Sequence, residues 1–367
     1  MAEKPKTIFV GLSGGVDSAV CAALLKKQGH IVVGVFIRTW QPDFIECSFR
    51  EDRLDAMRVA SHLGIPFLEC DAEEVYKEKV AEYMINEYRI GRTPNPDVMC
   101  NREIKFGVFW DFAKKHGADF IATGHYARIT DASESKVESQ KPARPNGHSG
   151  RLKVAADATK DQAYFLYRLT NNDLKHIMFP LGGILKSEVR SLAKKFGLPN
   201  AVKKDSQGIC MLGDLDIKKF LEHYIPSKRG DVLNESGEVV GYHDGALFLT
   251  LGERHGFTIT KKTPNDNPHY IVGKDIEKNT IIVSDIQNQK KVNNGILQNY
   301  GIENISWVHN APEVGKKYTA QIRYHGKYLA CKYEDGQVIF DEPVLVAKGQ
   351  SIVIFDNDEC LGGGIVS

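Results

Sequence analysis

Three short stretches carry residues that could do chemistry. The first, GLSGGVDS from Gly11 to Ser18, lies between the apolar run TIFVGL and a helical pattern. Gly11, Gly14 and Gly15 let the backbone turn tightly and approach an anion, Ser13 and Ser18 offer hydroxyls, and the helix that follows points its N-terminus at the same place. A glycine-rich turn from strand to helix can be no more than a turn, but S-G-G-x-D-S in this setting weighs against that. The stretch lacks the lysine that serves the β- and γ-phosphates in γ-phosphoryl transfer. Such a loop suits pyrophosphate as a leaving group, so the expected chemistry is attack at the α-phosphorus and adenylation of a substrate. Asp17 is placed to help hold Mg²⁺ on those phosphates, and a carboxylate at a helix N-terminus is also favoured by the dipole alone.

The second stretch is GRTPNPDVMCNREIKF, 91 to 106. Pro94 and Pro96 stiffen it. Asn101 is expected to cap a helix running from Glu103 to His116, which would set Cys100 just before a positive helix end that stabilises a thiolate. Asp97 could handle a proton. The third stretch is KKDSQGICMLGD, 203 to 214, where Cys210 sits in a polar segment of the kind that holds reactive thiols. Cys21, on an apolar helix face, reads as packing. Two thiols in separate loops point to sulfur transfer, although Cys100 could equally be incidental to a Pro-punctuated loop.

The elements that must position these residues alternate. TIFVGL (7 to 12), IVVGVFI (31 to 37), PFLEC (66 to 70) and FIATG (120 to 124) read as strands, and helical patterns cover 16 to 28, 50 to 63, 72 to 88 and 103 to 116. This predicts βαβ units around a parallel sheet, with ligands near Ser13, Ile37 and Gly124 at the carboxyl ends of strands. The segment 131 to 150, rich in Ser, Pro and Gly, reads as a disordered flap between hairpin strands ARIT and RLKVAA. From about Leu215 the rhythm gives way to short strands, and 293 to 367 reads as a small barrel.

At 367 residues and 42% hydrophobic composition the chain can fill two or three cores. It opens without a basic-then-apolar leader and has no run near the ~20 apolar residues that span a bilayer, which points to the cytoplasm and away from membranes. Seven cysteines without a CxxC pair signal neither a zinc site nor a disulfide framework, and no metal site is expected. A net charge of +1 leaves nucleic-acid binding to local clusters. Lys186, Arg190 and Lys194 recur at helical spacing on one face, with Lys203, Lys204, Lys218 and Lys219 after them. A row of this kind is often only a solvated face.

SGGVDS, TPNPDVMCNREIKF, ATGHYAR, KDQAYFL, KKDSQGICMLG, QIRY and LGGGIV, in this order, resemble the tRNA-specific 2-thiouridylase family, whose members are PP-loop ATP pyrophosphatases. The likeness spans essentially the whole chain. It implies an α/β fold: a parallel-sheet PP-loop catalytic domain (1–214), a small central domain (215–285) and a C-terminal β-barrel that contacts tRNA (286–367). It implies ATP-dependent sulfur transfer to C2 of the wobble uridine, U34, with ATP and Mg²⁺, persulfide sulfur, tRNA, and a sulfur-relay or cysteine-desulfurase donor protein. Gly11, Leu12, Ser13, Gly14, Gly15, Val16, Asp17 and Ser18 would bind ATP, with Ile37 and Gly124 on the adenine side. Asn95, Pro96 and Asp97 would meet the target base, Cys100 would be the nucleophile and Cys210 the persulfide carrier. His125, Lys160, Asp161, Gln162, Arg323, Tyr324 and Gln350 would contact tRNA. Ile37 stands where the family commonly has Met, and the 131–150 insertion is longer than the family pattern. An amide-forming PP-loop synthetase would need neither thiol, and a non-catalytic tRNA-binding protein would have no use for Ser13, Asp17 and Ser18 together.

Overall fold

The computed structural model describes residues 4–44, 49–131, 150–205, 208, 210–212, 216–260, 267–285 and 296–367. Almost all of the 131–150 insertion, and Cys47, therefore lie outside the described residues. No helix among them is long and apolar enough to cross a membrane.

The apolar runs form β1 (Thr7–Gly11), β2 (Ile31–Arg38), β3 (Phe67–Asp71) and β4 (Phe120–Ala122). A hairpin follows, β5 (Arg128–Asp131) with β6 (Gly150–Lys153), and then β7 (Ile177–Met178). Five of these strands pair in parallel in the order β3-β2-β1-β4-β7. They are near-continuously apolar because helices cover both faces. On one side α1 (Val16–Lys27), α2 (Phe49–Leu63) and helix Lys186–Lys195 bury Val20, Ala56 and Val189 against the sheet. On the other, Phe109 of the helical segment 96–115 packs with Ile121 and Tyr164. Since β2 lies on one side of β1 and β4 on the other, the loops after β1 and β4 face each other across a crevice at the sheet's switch point.

The helix bearing Cys100 starts earlier than expected. Asn95 and Asn101 are both capping types, and Pro96 decides between them, because its fixed φ and missing N–H suit the first helical position. Asn95 is the cap, accepting from Val98 N at 3.4 Å. Asn101 is buried inside the helix and donates to Phe165 O at 3.3 Å. From Cys100 to Val108 the coil widens into π-helical turns.

The central domain is a five-stranded sheet: β8 (Gly230–Leu233), β9 (Val239–His243), β10 (Phe257–Ile259), β11 (His269–Asp275) and β12 (Thr280–Asp285), in the order β10-β9-β8-β12-β11. Beyond it, β13 (Ile296–Trp307), β14 (Tyr318–Gln321), β15 (Leu329–Glu334), β16 (Gln337–Leu345), β17 (Ser351–Asp356) and β18 (Glu359–Val366) form an antiparallel barrel. Pairing of β13 with β18 closes it. Several contacts fasten the barrel to the catalytic domain. β18 pairs with β6 through Glu359 and Lys153, supported by ion pairs Arg151–Glu359 at 3.0 Å and Lys153–Asp358 at 3.2 Å. Thr93, two residues before the Asn95 cap, donates from its N to Lys348 O at 2.8 Å, and Gln350 Nε2 donates to Thr93 O at 3.0 Å.

Candidate active site

The nucleotide end is built mainly from backbone. Gly14 sits at φ +76°, and a Cβ there would stand 2.4 Å from Asp52 O, so both conformation and space require glycine. Gly124, after β4, presses on the same turn: its Cβ would meet Ser18 N at 2.8 Å and Asp17 C at 2.9 Å. Ser13 N donates to Ser18 Oγ at 3.2 Å, Ser18 Oγ donates to Gly15 O at 3.2 Å, and Asn200 Nδ2 donates to Gly14 O at 2.9 Å. Gly11 closes β1 and Leu12 follows it, Gly15 and Val16 open α1, and half-buried Ile37 stands one residue before the end of the neighbouring strand. A tight cradle at a helix N-terminus beside an apolar wall fits a nucleotide.

A lysine does reach this end, from far along the chain. Lys186 Nζ meets Asp17 Oδ1 at 2.7 Å and Oδ2 at 2.8 Å, and Tyr126 OH donates to Asp17 Oδ1 at 2.9 Å. Lys186 also pairs with Asp205 at 2.9 Å, as does Lys160 at 3.0 Å, and Arg190 joins them. Burial alone would raise the Asp205 carboxyl, but hydrogen bonds from Lys186 and Lys160 outweigh it and hold it at about 2. The basic row expected to face RNA is thus divided, with Lys204 and Lys219 exposed. Lys186 and Arg190 are committed to Asp205, Lys203 to Asp52 at 2.8 Å and Asp55 at 2.7 Å, while Lys194 is exposed.

The sulfur end joins segments 110 residues apart. Cys100 Sγ and Cys210 Sγ lie 3.4 Å from each other, both as free thiols. Tyr76 OH donates to Cys210 O at 2.8 Å, Gln41 Nε2 donates to Met211 O at 2.9 Å, and Asp97 Oδ1 accepts from Cys210 N at 2.9 Å. Cys210 is half-buried rather than open to solvent, and Cys100 is wholly enclosed with Ile104, Leu212 and Phe220. This overturns the expected thiolate at Cys100. With the helix starting at Pro96, Cys100 lies beyond the positive end, and its thiol is raised well above 9.0 by its hydrogen bond to Cys210 and by burial. Cys210 moves the other way. The hydrogen bond from Cys100 lowers it, burial opposes, and the charge of Lys105 lowers it further. Burial raises the Asp97 carboxyl against the Cys210 N–H bond and Lys105. Lys105 went unmarked in the sequence reading, because an isolated lysine on a helix carries no signal until the π-turns set its direction.

The residues tied to tRNA by resemblance divide into two groups. Arg323 is exposed, and Tyr324 packs 4.4 Å from Phe165 and 3.8 Å from His325 between ring centroids. His125 and Asp161, by contrast, are buried. His125 is hydrogen-bonded through Nδ1 to Thr123 Oγ1 at 2.7 Å and through Nε2 to Lys105 Nζ at 3.4 Å, and burial with the Lys105 charge keeps it neutral. Asp161 accepts from Ala155 N at 2.7 Å, and burial raises its carboxyl to about 6. Gln162 accepts from Tyr126 N at 3.0 Å. Lys160 and Gln350 are spent on Asp205 and Thr93, and Asn95 and Pro96 on the helix start.

Family models match three consecutive stretches: a tRNA methyl transferase HUP domain over residues 6–214, a tRNA methyl transferase PRC-barrel domain over 218–285 and an aminomethyltransferase beta-barrel domain over 298–366. Among curated relatives, the tRNA-specific 2-thiouridylase MnmA of Thiobacillus denitrificans is 44% identical, covering 98% of this chain and 99% of that protein. The protein of the same name from Bacillus subtilis is 42% identical over 100% of this chain and 96% of its own. Among solved structures, an NMN synthetase from Francisella tularensis matches with 19% identity and a TM-score of 0.33, over 56% of this chain and 69% of that one.

Proposed function

Since the chain belongs to the tRNA-specific 2-thiouridylase family, we propose that it uses ATP to place sulfur on C2 of the wobble uridine, U34, of tRNA. The observation that carries this reading is the 3.4 Å approach of Cys100 and Cys210 beside the switch-point crevice. Methyl transfer, the chemistry in two of the model descriptions, and amide synthesis need no such thiol pair.

The uridine O2 attacks the α-phosphorus of ATP and pyrophosphate leaves, which turns a poor leaving group into AMP. Gly11 to Ser18 cradle the phosphates, with Ile37 and Gly124 toward the adenine. Asp17, paired with Lys186 in this structure, would help hold Mg²⁺, which would draw charge off the leaving pyrophosphate. Among the described residues no cluster of three or more His, Cys, Asp or Glu could hold a metal by itself.

Sulfur then arrives as a persulfide on Cys210. In one route its outer sulfur attacks C2 and AMP departs, after which Cys100, giving up its proton as it reacts, attacks Cys210 Sγ, leaving the thiocarbonyl on the base and a Cys100–Cys210 disulfide. In the other, Cys100 attacks first and the freed sulfide attacks C2. Both reduce the sulfane sulfur with the electrons of two thiols, and an external thiol resets the pair. A persulfide donor protein supplies the sulfur. Asp97, whose carboxyl is raised by burial, is suited to move the proton. Arg323 and Tyr324 on the barrel meet the tRNA, while His125, Asp161, Gln162 and Gln350 act from behind by fixing the loops it rests on.

Radiolabelled ATP turnover with unmodified tRNA, run beside nucleoside mass spectrometry, tests the proposal. AMP and pyrophosphate are expected together with 2-thiouridine, and ADP as the main product would overturn it.

A further inference from the structure

The two thiols are in contact, yet they differ in how readily they ionise, and the helix that was expected to activate one of them does not. The Cys100 S–H is the first group that favours an anion on Cys210, and the helical segment 96–115 adds a positive charge beside it. In a regular α-helix, residues five apart stand roughly 140° around the axis from one another. In the π-helical stretch from Cys100 to Val108, hydrogen bonds run from i to i+5, which brings Lys105 round toward the side occupied by Cys100. There its ammonium is hydrogen-bonded to Cys210 and to His125. His125 Nε2 accepts from Lys105 Nζ at 3.4 Å, and Nδ1 is fixed by Thr123 Oγ1 at 2.7 Å. The imidazole is neutral and packs 5.6 Å from Phe106 and 6.0 Å from Phe179 between ring centroids, so it orients the lysine without competing for its charge.

From this geometry we infer that Lys105, aimed by the π-turn and His125, supplies the positive charge that, together with the Cys100 S–H, keeps Cys210 a thiolate so that it can accept sulfur from its donor. The inference rests on the sulfur-transfer reading above for the identity of the incoming group, a persulfide R–S–SH. The Cys210 thiolate attacks the outer sulfur, the donor S–S bond breaks, R–S⁻ leaves, and Cys210 carries S–SH, with no net change in oxidation state. Among the described residues, Cys100 donates its S–H to the anion, Asp97 binds the Cys210 backbone and opposes a negative sulfur, and Tyr76 donates to the Cys210 carbonyl. Burial lowers the Lys105 ammonium, yet the charges of Cys210, Cys100 and Asp97 more than offset that, so it stays protonated while the thiolate forms.

The test needs neither ATP nor tRNA. Iodoacetamide labelling of Cys210, read site by site by peptide mass spectrometry from about pH 5 to pH 10, reports the thiolate fraction. In Lys105→Met the midpoint should rise by about one pH unit or more, while Lys105→Arg keeps the wild-type profile. Loading of Cys210 by cysteine persulfide at neutral pH should fall by roughly tenfold in Lys105→Met and recover in Lys105→Arg. Lys105→Gln, which retains a donor for His125 Nε2, carries the same comparison if Lys105→Met does not fold. A Lys105→Met or Lys105→Gln profile that overlays the wild type would overturn the inference, as would Lys105→Arg shifting as far as Lys105→Met. If the wild-type protein released no AMP with tRNA, the proposed function would fail, while the labelling profile would still decide the role of Lys105.

Discussion

The nucleotide end and the sulfur end lie in the same domain but are made differently. At the first, Gly14 and Gly124 let main chain meet main chain with no room for a Cβ, and the Ser13–Ser18 hydrogen bonds close a loop only eight residues long. At the second, Cys100 and Lys105 from one helix meet Cys210 from a distant segment, and Tyr76, Gln41 and Asp97 hold that segment by its backbone. A site made of contiguous backbone has one way to form, fixed by glycines. A site assembled from distant side chains has its roles set by burial and by neighbouring charges, so the same residue types can act in opposite senses. The two cysteines are the instance: contact and enclosure push one thiol up and the other down.

The largest expected effect separates the two ends outright. Cys210→Ser should abolish 2-thiouridine while tRNA-dependent AMP release continues, because the activated base is then lost to water. Full thiolation by this variant, read by nucleoside mass spectrometry, would break the comparison. Gly124→Ala is its mirror image. A methyl 2.8 Å from Ser18 N must displace the loop, and a misplacement of about 1 Å costs on the order of 10²-fold in rate. AMP and 2-thiouridine should both fall, while Cys210 labels with iodoacetamide as in the wild type. A labelling change as large as the rate change would mean that the two ends are one mechanical unit.

That contrast also accounts for what could be read from the sequence. The parallel sheet, the loop after β1 and the switch point follow from apolar runs, helical spacing and glycines, all of them local features. The start of the Cys100 helix was misplaced because two capping asparagines compete within seven residues, and only Pro96 favours the first. That choice moves Cys100 away from the positive helix end, while Cys210 remains the thiol whose ionisation is favoured. Lys186 and Arg190 have the spacing of a solvated basic face, and nothing near them in sequence reveals that Asp205 draws them inward. Lys105 needed the π-turn, a backbone feature without a residue signature.

Asp161 offers a smaller effect, on the loop that braces both ends. Its carboxyl is raised from 3.8 to about 6 by burial, so the folded state binds its proton more tightly than the unfolded chain does. The stability it contributes is complete below about pH 4 and is lost as pH rises to about 6, an effect of about 3 kcal/mol. In chemical denaturation across that window, Asp161→Asn should flatten the slope of stability against pH. An unchanged slope would show that the backbone N–H groups of Ala155 and Ala163 hold the carboxylate charged throughout.

The smallest effect lies farthest from either end. Arg323 is exposed in a tight turn whose geometry does not depend on its side chain: Gly326 N donates to Arg323 O at 2.9 Å, Gln321 Nε2 donates to Gly326 O at 2.9 Å, and His325 takes φ +55°. Arg323→Ala should therefore leave stability within about 0.5 kcal/mol of the wild type. If the guanidinium meets a tRNA phosphate, its removal releases one fewer counterion, and the slope of log affinity against log salt should fall by about one unit. ATP binding and Cys210 labelling should be untouched, since the Arg323 side chain is exposed to solvent. His125→Asn makes the sharper contrast. His125 is buried and bonded to Thr123 and Lys105, so its substitution should leave the salt slope as it is and alter the Cys210 labelling profile. A salt slope that fell for His125→Asn and stayed fixed for Arg323→Ala would place the tRNA phosphate on the sulfur side of the crevice rather than on the barrel.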